Sequence, residues 1–536
     1  MNGMVVAPEP YSVEAGEYIL AKGGNAVDAA ISAAFVQGVI NPFYSGIGGS
    51  GYLLVHIAST GESFHLDCSC TMGSKSIPEY WADEYISRSE AYGRYIIKSE
   101  ENQYGYKSIM VPGFVLGAWE AFQKYGSGNI SWKEIIEPSI QLATEGFENY
   151  PYLFRLWSDK ADTPGHPSFY RKISENEDSI KIYGTPKKTG KRFIQKEYGK
   201  TLSRIANNGG LDFYKGDIGE QIAKDFQSND SLITKEDIEN YNVLETETIV
   251  GHYKGYELRG AVSGSTSSAQ VIAMLQILEG FDVKGLIHNS PAYIELIASV
   301  MRAGFKDHLQ LKGDPPYSVV INLLRKYTSI ERAKYWQEQI NHGDTIIGPD
   351  TPTGLGSDTT HVSVIDKEGS AVSWTHTLGS MGGSGMVTSN LGFLYNNFVG
   401  HFNPVHGNWN SILPGKRGGG GAPLFLYKNG KLVMVIGAPG GSRIITAVLQ
   451  TILNVIDHGM SMQEAVNAPR FHSEEQDKIF LEPLIPEETS RTLRNKYDVQ
   501  RSTYMSRVQA IWIDPDTGIL SGGSDPRGLD GQKVIS

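Results

Sequence analysis

Three of the four threonines between residues 356 and 379, Thr359, Thr360 and Thr377, could supply a hydroxyl nucleophile and a partner for it. The segment runs GSDTTHVSVIDKEGSAVSWTHTLG, and its centre, Lys367-Glu368-Gly369, is typical of a three-residue hairpin loop with the glycine in the left-handed conformation. Thr359 and Thr377 then oppose each other, because both lie nine residues from the centre of the loop. Directly opposed residues have Cβ atoms about 4.5–5.5 Å apart, so the register predicts a hydroxyl pair.

A threonine hydroxyl is a weak nucleophile unless a base lies beside it. If Thr359 were N-terminal, its own α-amine, with a pKa of about 7.7–8.0, could accept the proton. That chemistry requires cleavage of the Asp358–Thr359 bond, which follows the short polar approach Gly356-Ser357-Asp358. The alternative is that Thr359, Thr360 and Thr377 are ordinary strand threonines, and spacing alone favours that alternative.

The segment Pro439-Gly440-Gly441-Ser442 is a second candidate for catalytic chemistry. It separates a predicted strand from a predicted helix, so its amide N–H groups would lie at the positive end of a helix dipole. Such donors can stabilise a tetrahedral oxyanion. The alternative is a purely structural turn, since paired glycines before a helix are common.

Hydrophobic periodicity predicts the elements that position these residues. Helices are expected from residue spacing and glycine breaks, at Val13–Lys22, Ala26–Val39, Gly117–Tyr125, Trp132–Glu145, Lys215–Gln227, Pro291–Leu311 and from about Ser442 to His458. Strands are expected from alternation and turn signals, including Asn429-Gly430, at Tyr52–His56, Thr360–Ile365, Ser370–Leu378, Leu424–Tyr427 and Lys431–Ile436. This mixture indicates helices packed on sheets.

Composition excludes several classes of partner. The net charge is −11 with no basic patch, so binding to nucleic acid or to acidic membranes lacks its main driving force, and a small-molecule partner is expected. No stretch reaches the roughly 18–20 apolar residues that span a bilayer. The first twenty residues lack the pattern of a secretory signal, and Cys68 and Cys70 are too close in sequence to pair comfortably. Both features favour a cytoplasmic location, and the two thiols are interpreted as small buried residues rather than reactive groups.

Eight short motifs in this chain resemble those of the γ-glutamyltranspeptidase family, in the family's order. They are KGGNAVDAA at 22–30, GIGG at 46–49, VPG at 111–113, EGF at 145–147, TTH at 359–361, PGKR at 414–417, PGGSR at 439–443 and SDPR at 524–527. The likeness covers nearly the whole chain. Each motif is weak alone, and together they favour the catalytic interpretation of the threonines and glycines.

The resemblance implies an α+β fold, the four-layer αββα sandwich of N-terminal-nucleophile hydrolases, made as one precursor. Processing would give a large subunit, 1–358, and a small subunit, 359–536, intertwined in one domain. Thr359 matches the family nucleophile, Thr377 the threonine that hydrogen-bonds it, and Gly440 and Gly441 the oxyanion-hole pair. Members transfer or hydrolyse γ-glutamyl groups, and relatives cleave cephalosporin side chains, polyglutamate or small amides.

The departures from the family pattern fall on its substrate-binding positions. Where the family has an arginine after a Leu-Asp pair, this chain has Ser69, and where it has a glutamine and an aspartate, this chain has Phe398 and His401. Gly379 replaces an asparagine, Gly418–Gly421 replaces a serine pair, and the segment between His401 and Lys416 is shorter. The candidate substrate-binding residues are therefore the replacements and two remaining arginines: Ser69, Phe398, His401, Arg417 and Arg527. Arg527 has a structural ion pair as its alternative.

Three functions remain open at this point. The first is an acylase or amidohydrolase with altered acyl specificity, and the second is a γ-glutamyltransferase with a rebuilt substrate clamp. The third is a catalytically dead relative that only binds. No cofactor or metal site is expected, because His401 and His406 have no acidic or cysteine companions. The expected partners are the small-molecule amide, the two subunits of one precursor, and a second copy in a homodimer.

Overall fold

The computed structural model of the 536-residue chain describes residues 3–89, 93–262, 267–308, 317–349, 358–408 and 410–528. Within these ranges the strands are, in chain order, β1 Met4–Val6, β2 Ser50–Ile57, β3 Glu62–Cys68, β4 Cys70–Thr71, β5 Tyr85–Arg88, β6 Tyr95–Ile97, β7 Phe147–Glu148, β8 Arg192–Phe193, β9 Leu244–Thr246, β10 Ile249–Tyr253, β11 Tyr256–Gly260, β12 Thr360–Ile365, β13 Ala371–Thr377, β14 Arg417–Gly418, β15 Leu424–Lys428, β16 Lys431–Gly437, β17 Phe471–His472, β18 Lys478–Leu481, β19 Asp498–Arg501, β20 Gln509–Ile513 and β21 Leu520–Ser524.

Helices occupy much of the remaining chain in the same ranges. They are α1 Pro10–Ala21, α2 Ala26–Ile40, α3 Phe114–Tyr125, α4 Trp132–Glu145, α5 Pro151–Ser158, α6 Phe169–Ile173, α7 Glu177–Tyr183, α8 Lys196–Asn208, α9 Asp212–Lys215, α10 Asp217–Ser228, α11 Lys235–Glu239, α12 Ser267–Leu278, α13 Pro291–His308, α14 Tyr317–Tyr327, α15 Ile330–Asn341, α16 Arg443–Ile456, α17 Met462–Asn467 and α18 Glu487–Leu493. No helix in the described ranges is both long and apolar enough to cross a membrane.

Two six-stranded antiparallel sheets form the centre of the molecule. The first has the order β1-β12-β13-β2-β3-β9, and the second has the order β10-β11-β15-β16-β20-β21. The sheets pack face to face around a buried apolar cluster that includes Leu54, Phe425 and Ile511. Hydrogen bonds also cross between them, because Ser373 Oγ donates to the carbonyl oxygen of Ile436 at 2.9 Å. Each sheet contains strands from both sides of Thr359.

Helices cover the outer faces of both sheets. On the first sheet, α2 packs against β12 and β13 and is itself covered by α1 and α4, so every one of its residues is buried. Asn25 caps α2 with its side chain, and Asp28 completes a capping box, which satisfies amide groups that the helix leaves unpaired. On the second sheet, α12 and α16 share a core with β10, β11 and β16. The expected order of four layers, helix–sheet–sheet–helix, is confirmed.

The predicted hairpins agree closely with the structure because their signals are local. β12 and β13 match the predicted strands within one residue at each end, and Gly369 has φ +94° in the turn. Thr360 opposes His376, which is the predicted register. In the second hairpin Asn429 and Gly430 have φ +52° and +77°, the conformation that a type I′ turn requires.

Helix boundaries agree less well. α1 begins at Pro10, three residues before the predicted start, because proline fits the first position of a helix. The predicted helix Lys215–Gln227 is interrupted at Gly216, which separates α9 from α10. The last described residue of α13 is His308, and the predicted continuation to Leu311 lies outside the described residues, as do Gly356 and Ser357.

Candidate active site

The candidate nucleophile Thr359 immediately precedes β12, on the first sheet, and is 7% exposed. Thr377 ends β13 and is also buried. Because Thr360 opposes His376, the next position of the ladder brings residues 359 and 377 face to face. The hairpin therefore carries both threonines to one end of the central sheets.

The hydroxyl of Thr377 contacts the peptide bond that precedes Thr359. Its Oγ1 donates to the carbonyl oxygen of Asp358 at 2.7 Å, and it accepts a hydrogen bond from the amide of Gly379 at 2.9 Å. The sequence predicted a contact with the Thr359 hydroxyl, whereas the hydrogen bond in this chain goes to the carbonyl on the other side of the peptide bond. A donor at that oxygen stabilises the negative charge that develops when a nucleophile attacks the carbonyl carbon.

Arg507 binds the backbone carbonyl of Thr359. Its Nη2 donates to the carbonyl oxygen of Thr359 at 3.1 Å, and its Nη1 donates to the hydroxyl of Tyr152 at 2.9 Å. The guanidinium lies over the rings of Tyr44 and Tyr152, at 5.1 and 5.7 Å from their centroids. A planar group with several donors is suited to this position, because it fixes a backbone carbonyl while packing against aromatic faces.

A buried polar network supports the start of β12 from the α2 side. Gln37 Nε2 donates to Thr360 Oγ1 at 2.9 Å and to Glu9 Oε2 at 2.8 Å, and its Oε1 lies 2.9 Å from His376 Nε2. Burial raises the pKa of Glu9, while hydrogen bonds from Asn41 and Gln37 act in the opposite direction. Since each of these polar side chains has a partner, the network can hold the backbone beside Thr359 in one position.

Neither histidine near the threonines is suited to act as the base. Burial lowers the pKa of both His361 and His376 to about 3, and for His361 the neighbouring His376 contributes. The ring nitrogens of His361 lie 2.8 Å from Thr375 Oγ1 and 3.1 Å from Ser363 Oγ, so they are occupied by hydroxyl groups of the sheet. The α-amine that cleavage would create on Thr359 remains the base favoured by the chemistry.

The paired glycines form the turn between β16 and α16. Gly440 has φ +140° and Gly441 has φ +60°, conformations that favour glycine. A Cβ at position 440 would also lie 2.6 Å from the hydroxyl oxygen of Tyr504. Ser506 Oγ donates to the carbonyl oxygen of Pro439 at 2.5 Å, and the residue after Ser506 is the arginine that holds Thr359. This chain segment therefore links the turn to Thr359.

Two buried cations lie beside the junction, which is the peptide bond between Asp358 and Thr359. Arg94 Nη2 lies 3.5 Å from Asn397 Oδ1, and Lys172 Nζ donates to Ser380 Oγ at 2.6 Å and to the carbonyl oxygen of Met381 at 2.8 Å. The carboxylate of Asp358 accepts a hydrogen bond from the amide of Met381 at 2.9 Å. Burial lowers the pKa of Arg94 to about 10, and burial together with the charge of Arg94 lowers that of Lys172 to about 7.

Comparison with known proteins identifies the family of this chain. The family model for gamma-glutamyltranspeptidase matches residues 12–535. The chain belongs to the gamma-glutamyltranspeptidase family. It is 33% identical to an acylase ACY 1 proenzyme of Pseudomonas sp. (strain V22), over 98% of this chain and 92% of that protein. It is 32% identical to a glutathione hydrolase proenzyme of Escherichia coli (strain K12), over 99% and 91%.

A solved structure extends the similarity to three dimensions. The crystal structure of cephalosporin acylase from Bacillus halodurans superposes with a TM-score of 0.83 at 26% identity, covering 100% of this chain and 95% of that one. The fold is therefore that of the N-terminal-nucleophile hydrolases. The chain is an enzyme of the class to which gamma-glutamyltranspeptidases and acylases belong, the amide hydrolases and acyl transferases.

Two of the candidate substrate-binding residues lie in packed interior. Ser69 is fully buried; its amide donates to Asp67 Oδ1 at 2.9 Å, and its carbonyl oxygen accepts from the hydroxyl of Tyr241 at 2.8 Å. Phe398 belongs to an apolar cluster that includes Trp81. Cys68 and Cys70 are also buried, which confirms their interpretation as small interior residues.

The two candidate arginines are held by protein groups. Arg417 Nη1 donates to the carbonyl oxygen of Asp67 at 3.2 Å, and its Nη2 donates to that of Asn242 at 2.5 Å. Arg527 pairs with both carboxylate oxygens of Glu482, at 2.6 and 2.7 Å, and with Asp525 at 3.0 Å. These contacts fit the structural ion pair that was the alternative for Arg527.

His401 lies near the junction and contacts Arg94, a residue that the sequence analysis did not single out. Its Nε2 accepts from Arg94 Nη2 at 3.3 Å, and burial followed by the charge of Arg94 lowers the pKa of His401. Neither Arg94 nor Lys172 belongs to a recognisable motif. The one sequence signal for Arg94 is that Ser69 replaces the arginine of the family pattern, which leaves the place of that cation open.

Proposed function

We propose that this chain is a self-processing amide hydrolase that uses Thr359 as its nucleophile. The hydrogen bond from Thr377 Oγ1 to the carbonyl oxygen of Asp358, at 2.7 Å, carries the proposal. This hydrogen bond places a donor on the carbonyl oxygen of the Asp358–Thr359 peptide bond, whose cleavage would make Thr359 N-terminal. The relatives named as proenzymes support a precursor that is cut in two.

Processing follows from the groups at the junction. The hydroxyl of Thr359 attacks the carbonyl carbon of Asp358, the C–N bond breaks, and the proton from the hydroxyl passes to the departing amine. The product is an ester between Asp358 and Thr359 Oγ1. Water then opens the ester, which gives Asp358 a C-terminal carboxylate and leaves Thr359 with a free hydroxyl and a free α-amine.

Turnover uses the same atoms on an external amide. The α-amine of Thr359 accepts the hydroxyl proton as the oxygen attacks the substrate carbonyl, and the amide N–H groups of Gly440 and Gly441 stabilise the oxyanion. The amine product leaves with a proton, and an acyl ester remains on Thr359. Water hydrolyses that ester and restores the free threonine.

The acyl group is expected to lack the α-ammonium of a glutamyl residue. A glutamyl head carries a carboxylate and an ammonium, and each needs a charged partner when it is buried. Beside the Asp358–Thr359 bond, Arg94 and Lys172 are cations and His401 is neutral, and the carboxylate that acts on both cations is that of Asp358, which belongs to the segment that is cut. An acylase that handles γ-glutamyl compounds poorly fits these charges best.

Arg94 also favours a second candidate, a γ-glutamyltransferase with a rebuilt clamp. It is a buried arginine near Asn397, next to the positions where the family pattern places its clamp.

The third candidate, a dead relative, conflicts with the joint presence of Thr359, Thr377, Gly440 and Gly441. The cytoplasmic location and the homodimer stay predictions, to be checked by cell fractionation and light scattering.

Processing is tested on purified protein by a denaturing gel and intact mass. We expect two pieces, residues 1–358 and 359–536, with the smaller beginning Thr-Thr-His-Val. Thr359→Ala should remain one chain without activity, whereas Glu368→Ala, an exposed change in the turn of the same hairpin, should still be cut at the same bond. A wild-type protein that stays full length and yet hydrolyses amides would contradict the proposal.

Acyl specificity is tested with processed enzyme and a set of anilides. We expect the γ-glutamyl anilide to have a kcat/KM about 10²–10³ below that of the best anilide without an α-amine, because losing one partner of a buried charged pair costs about 3–5 kcal/mol. If the γ-glutamyl anilide is instead better by tenfold or more, the rebuilt-clamp transferase is correct.

A further inference from the structure

The loop between β19 and β20, residues 502–508, contacts both parts of the candidate catalytic centre. Ser506 Oγ donates to the carbonyl oxygen of Pro439 at 2.5 Å, and Arg507 Nη2 donates to that of Thr359 at 3.1 Å. The loop is therefore fixed to the glycine turn at one residue and to the candidate nucleophile at the next.

Tyr504, two residues earlier in this loop, is held by its backbone. Arg443, the first residue of α16, donates from Nη1 to the carbonyl oxygen of Tyr504, and the same nitrogen donates to Ser502 Oγ at 2.7 Å. Because Arg443 closely follows the paired glycines in the chain, these bonds fix the position of Tyr504 relative to the glycine turn.

The side chain of Tyr504 ends against the glycine turn. A Cβ built at Gly440 would lie 2.6 Å from the hydroxyl oxygen of Tyr504, which is closer than a real Cβ can approach. Glycine at this position therefore leaves the space that the hydroxyl occupies. The hydroxyl lies directly against one of the two residues whose amides are the proposed oxyanion donors.

The hydroxyl oxygen of Tyr504 is buried, yet it has no hydrogen-bond partner among the residues that the structure describes. The neighbouring hydroxyls are paired, because Tyr152 donates to Tyr44 at 3.2 Å and accepts from Arg507 at 2.9 Å. Buried polar groups in native proteins are nearly always hydrogen-bonded, and leaving one without a partner costs free energy. The proton of Tyr504 is therefore available to an acceptor that binds at the turn.

The Tyr504 hydroxyl keeps its proton at neutral pH. Burial raises its pKa, Arg507 and Arg443 act to lower it, and Tyr152 and Asp358 act in the same direction as burial, with a net shift upward. The group is thus a neutral donor. The effect of Asp358 also places the hydroxyl within electrostatic range of the bond that precedes Thr359.

We propose that the Tyr504 hydroxyl is a third donor to the oxyanion, beside the amides of Gly440 and Gly441. The inference rests on the proposed function, since this oxyanion forms when Thr359 attacks an external amide. The Thr359 oxygen bonds to the carbonyl carbon, its proton passes to the α-amine, and the carbonyl oxygen becomes negatively charged. Tyr504 donates a hydrogen bond to that oxygen and retains its own proton. Tyrosine hydroxyls are among the side-chain donors that suit this task.

Tyr504→Phe tests the proposal, because it removes the hydroxyl and keeps the ring. We expect kcat and kcat/KM for the best anilide to fall equally, by about 10²–10³, since the lost bond is made in the transition state. Processing should continue at the wild-type rate, because the oxygen that becomes charged in that reaction is that of Asp358, which Thr377 binds. Normal cutting also shows that the variant is folded.

Tyr293→Phe is the matched control. Tyr293 lies in α13 within the core of the second sheet, and its buried hydroxyl likewise has no hydrogen-bond partner in the described part of the chain. Its removal should leave kcat unchanged. A boronic acid that matches the acyl group gives a second measurement, because its adduct with Thr359 is tetrahedral and anionic. Its Ki should rise by about tenfold or more in Tyr504→Phe and stay constant in Tyr293→Phe.

The outcomes distinguish the two proposals. A Tyr504→Phe enzyme that is cut and has the kcat of wild type overturns the role of this hydroxyl and leaves the hydrolase intact. A Tyr504→Phe chain that is not cut overturns that role as well, because the hydroxyl would then serve folding or processing. A wild-type chain that is never cut and hydrolyses nothing overturns the proposed function itself.

Discussion

At the scale of single residues, the hydroxyl of Thr377 has the clearest task. It donates to the carbonyl oxygen of Asp358 and is itself oriented by the amide of Gly379. In the proposed processing reaction this oxygen becomes negatively charged when Thr359 attacks, so the hydrogen bond would strengthen on the way to the transition state. The proposal therefore gives this hydroxyl its first role in processing, before any external amide is bound.

We expect Thr377→Val to slow processing by about 10²–10³, the usual effect of losing one oxyanion donor. The rate is measured by following the two pieces on a denaturing gel after synthesis of the precursor. Ser373→Ala is the matched control, because Ser373 lies on the same face of β13 but donates to Ile436 on the second sheet. Equal processing rates for Thr377→Val and wild type would show that this contact does not assist cleavage.

Lys172 carries a charge beside the Asp358–Thr359 bond that depends on pH. Burial and the charge of Arg94 lower its pKa to about 7, while Asp358 and Asp162 act to raise it. The nearby His166 is neutral at this pH, since burial lowers its pKa to about 4. The ammonium is present below about pH 7 and is lost as the pH rises through that value, so attraction for a carboxylate weakens above neutrality.

We therefore expect KM for an anilide whose acyl group carries a carboxylate to rise between about pH 6.5 and 8.5, with a much smaller change for an anilide with an uncharged acyl group of the same length. In the same interval kcat should rise, because the α-amine of Thr359, with a pKa near 7.7–8.0, must be unprotonated to act as a base. Lys172→Arg should abolish the rise in KM because a guanidinium stays charged. A pH-independent KM for wild type would contradict this role of Lys172.

At the scale of elements, one aspartate joins the hairpin that follows Thr359 to helix α2. Asp366 accepts hydrogen bonds from the amide of Ala26, at the start of α2, and from the amides of Glu368 and Ser370 in the turn, all between 2.9 and 3.1 Å. Burial raises the pKa of Asp366, and these backbone donors act against that rise. The carboxylate thus aligns β12 with α2, which in turn carries Gln37.

We expect Asp366→Ala to lower the free energy of unfolding by about 1–3 kcal/mol, because it leaves buried amide groups without an acceptor. Denaturant unfolding of the unprocessed Thr359→Ala chain measures the change without the complication of two pieces. Glu368→Ala, an exposed change in the same turn, should alter it by less than about 0.5 kcal/mol. Equal stability for Asp366→Ala and its parent would mean that water replaces the carboxylate.

The elements also show what the sequence could predict. The hairpin register was accessible because Gly369 and the alternation around it are local signals. Arg94 and Lys172 were not, because they meet Asn397 and Ser380 across separations of 303 and 208 residues. Likewise, Phe398 and Ser69 were expected at a pocket only because of their positions in the family pattern. Their burial depends on tertiary packing, which no local sequence pattern reports.

At the scale of the whole molecule, the proposed cut divides both sheets. The first sheet combines β1, β2, β3 and β9 from before Thr359 with β12 and β13 from after it, and the second combines β10 and β11 with β15, β16, β20 and β21. Neighbours from the two sides are hydrogen-bonded, as in the pairing of β13 with β2 and of β11 with β15. One cut therefore breaks a covalent bond without separating either sheet.

We accordingly expect the two pieces to remain one folded unit after processing. Separating them would expose the apolar cluster between the sheets and the unpaired edges of β2 and β13, and both are strongly unfavourable in water. Size exclusion without denaturant should give one peak that contains both bands, at the 58.8 kDa of the whole chain or a multiple of it, and strong denaturant should resolve them. Thr359→Ala, which stays uncut, supplies the reference elution volume. If the two pieces eluted apart under native conditions, the shared sheets would not be what holds them together.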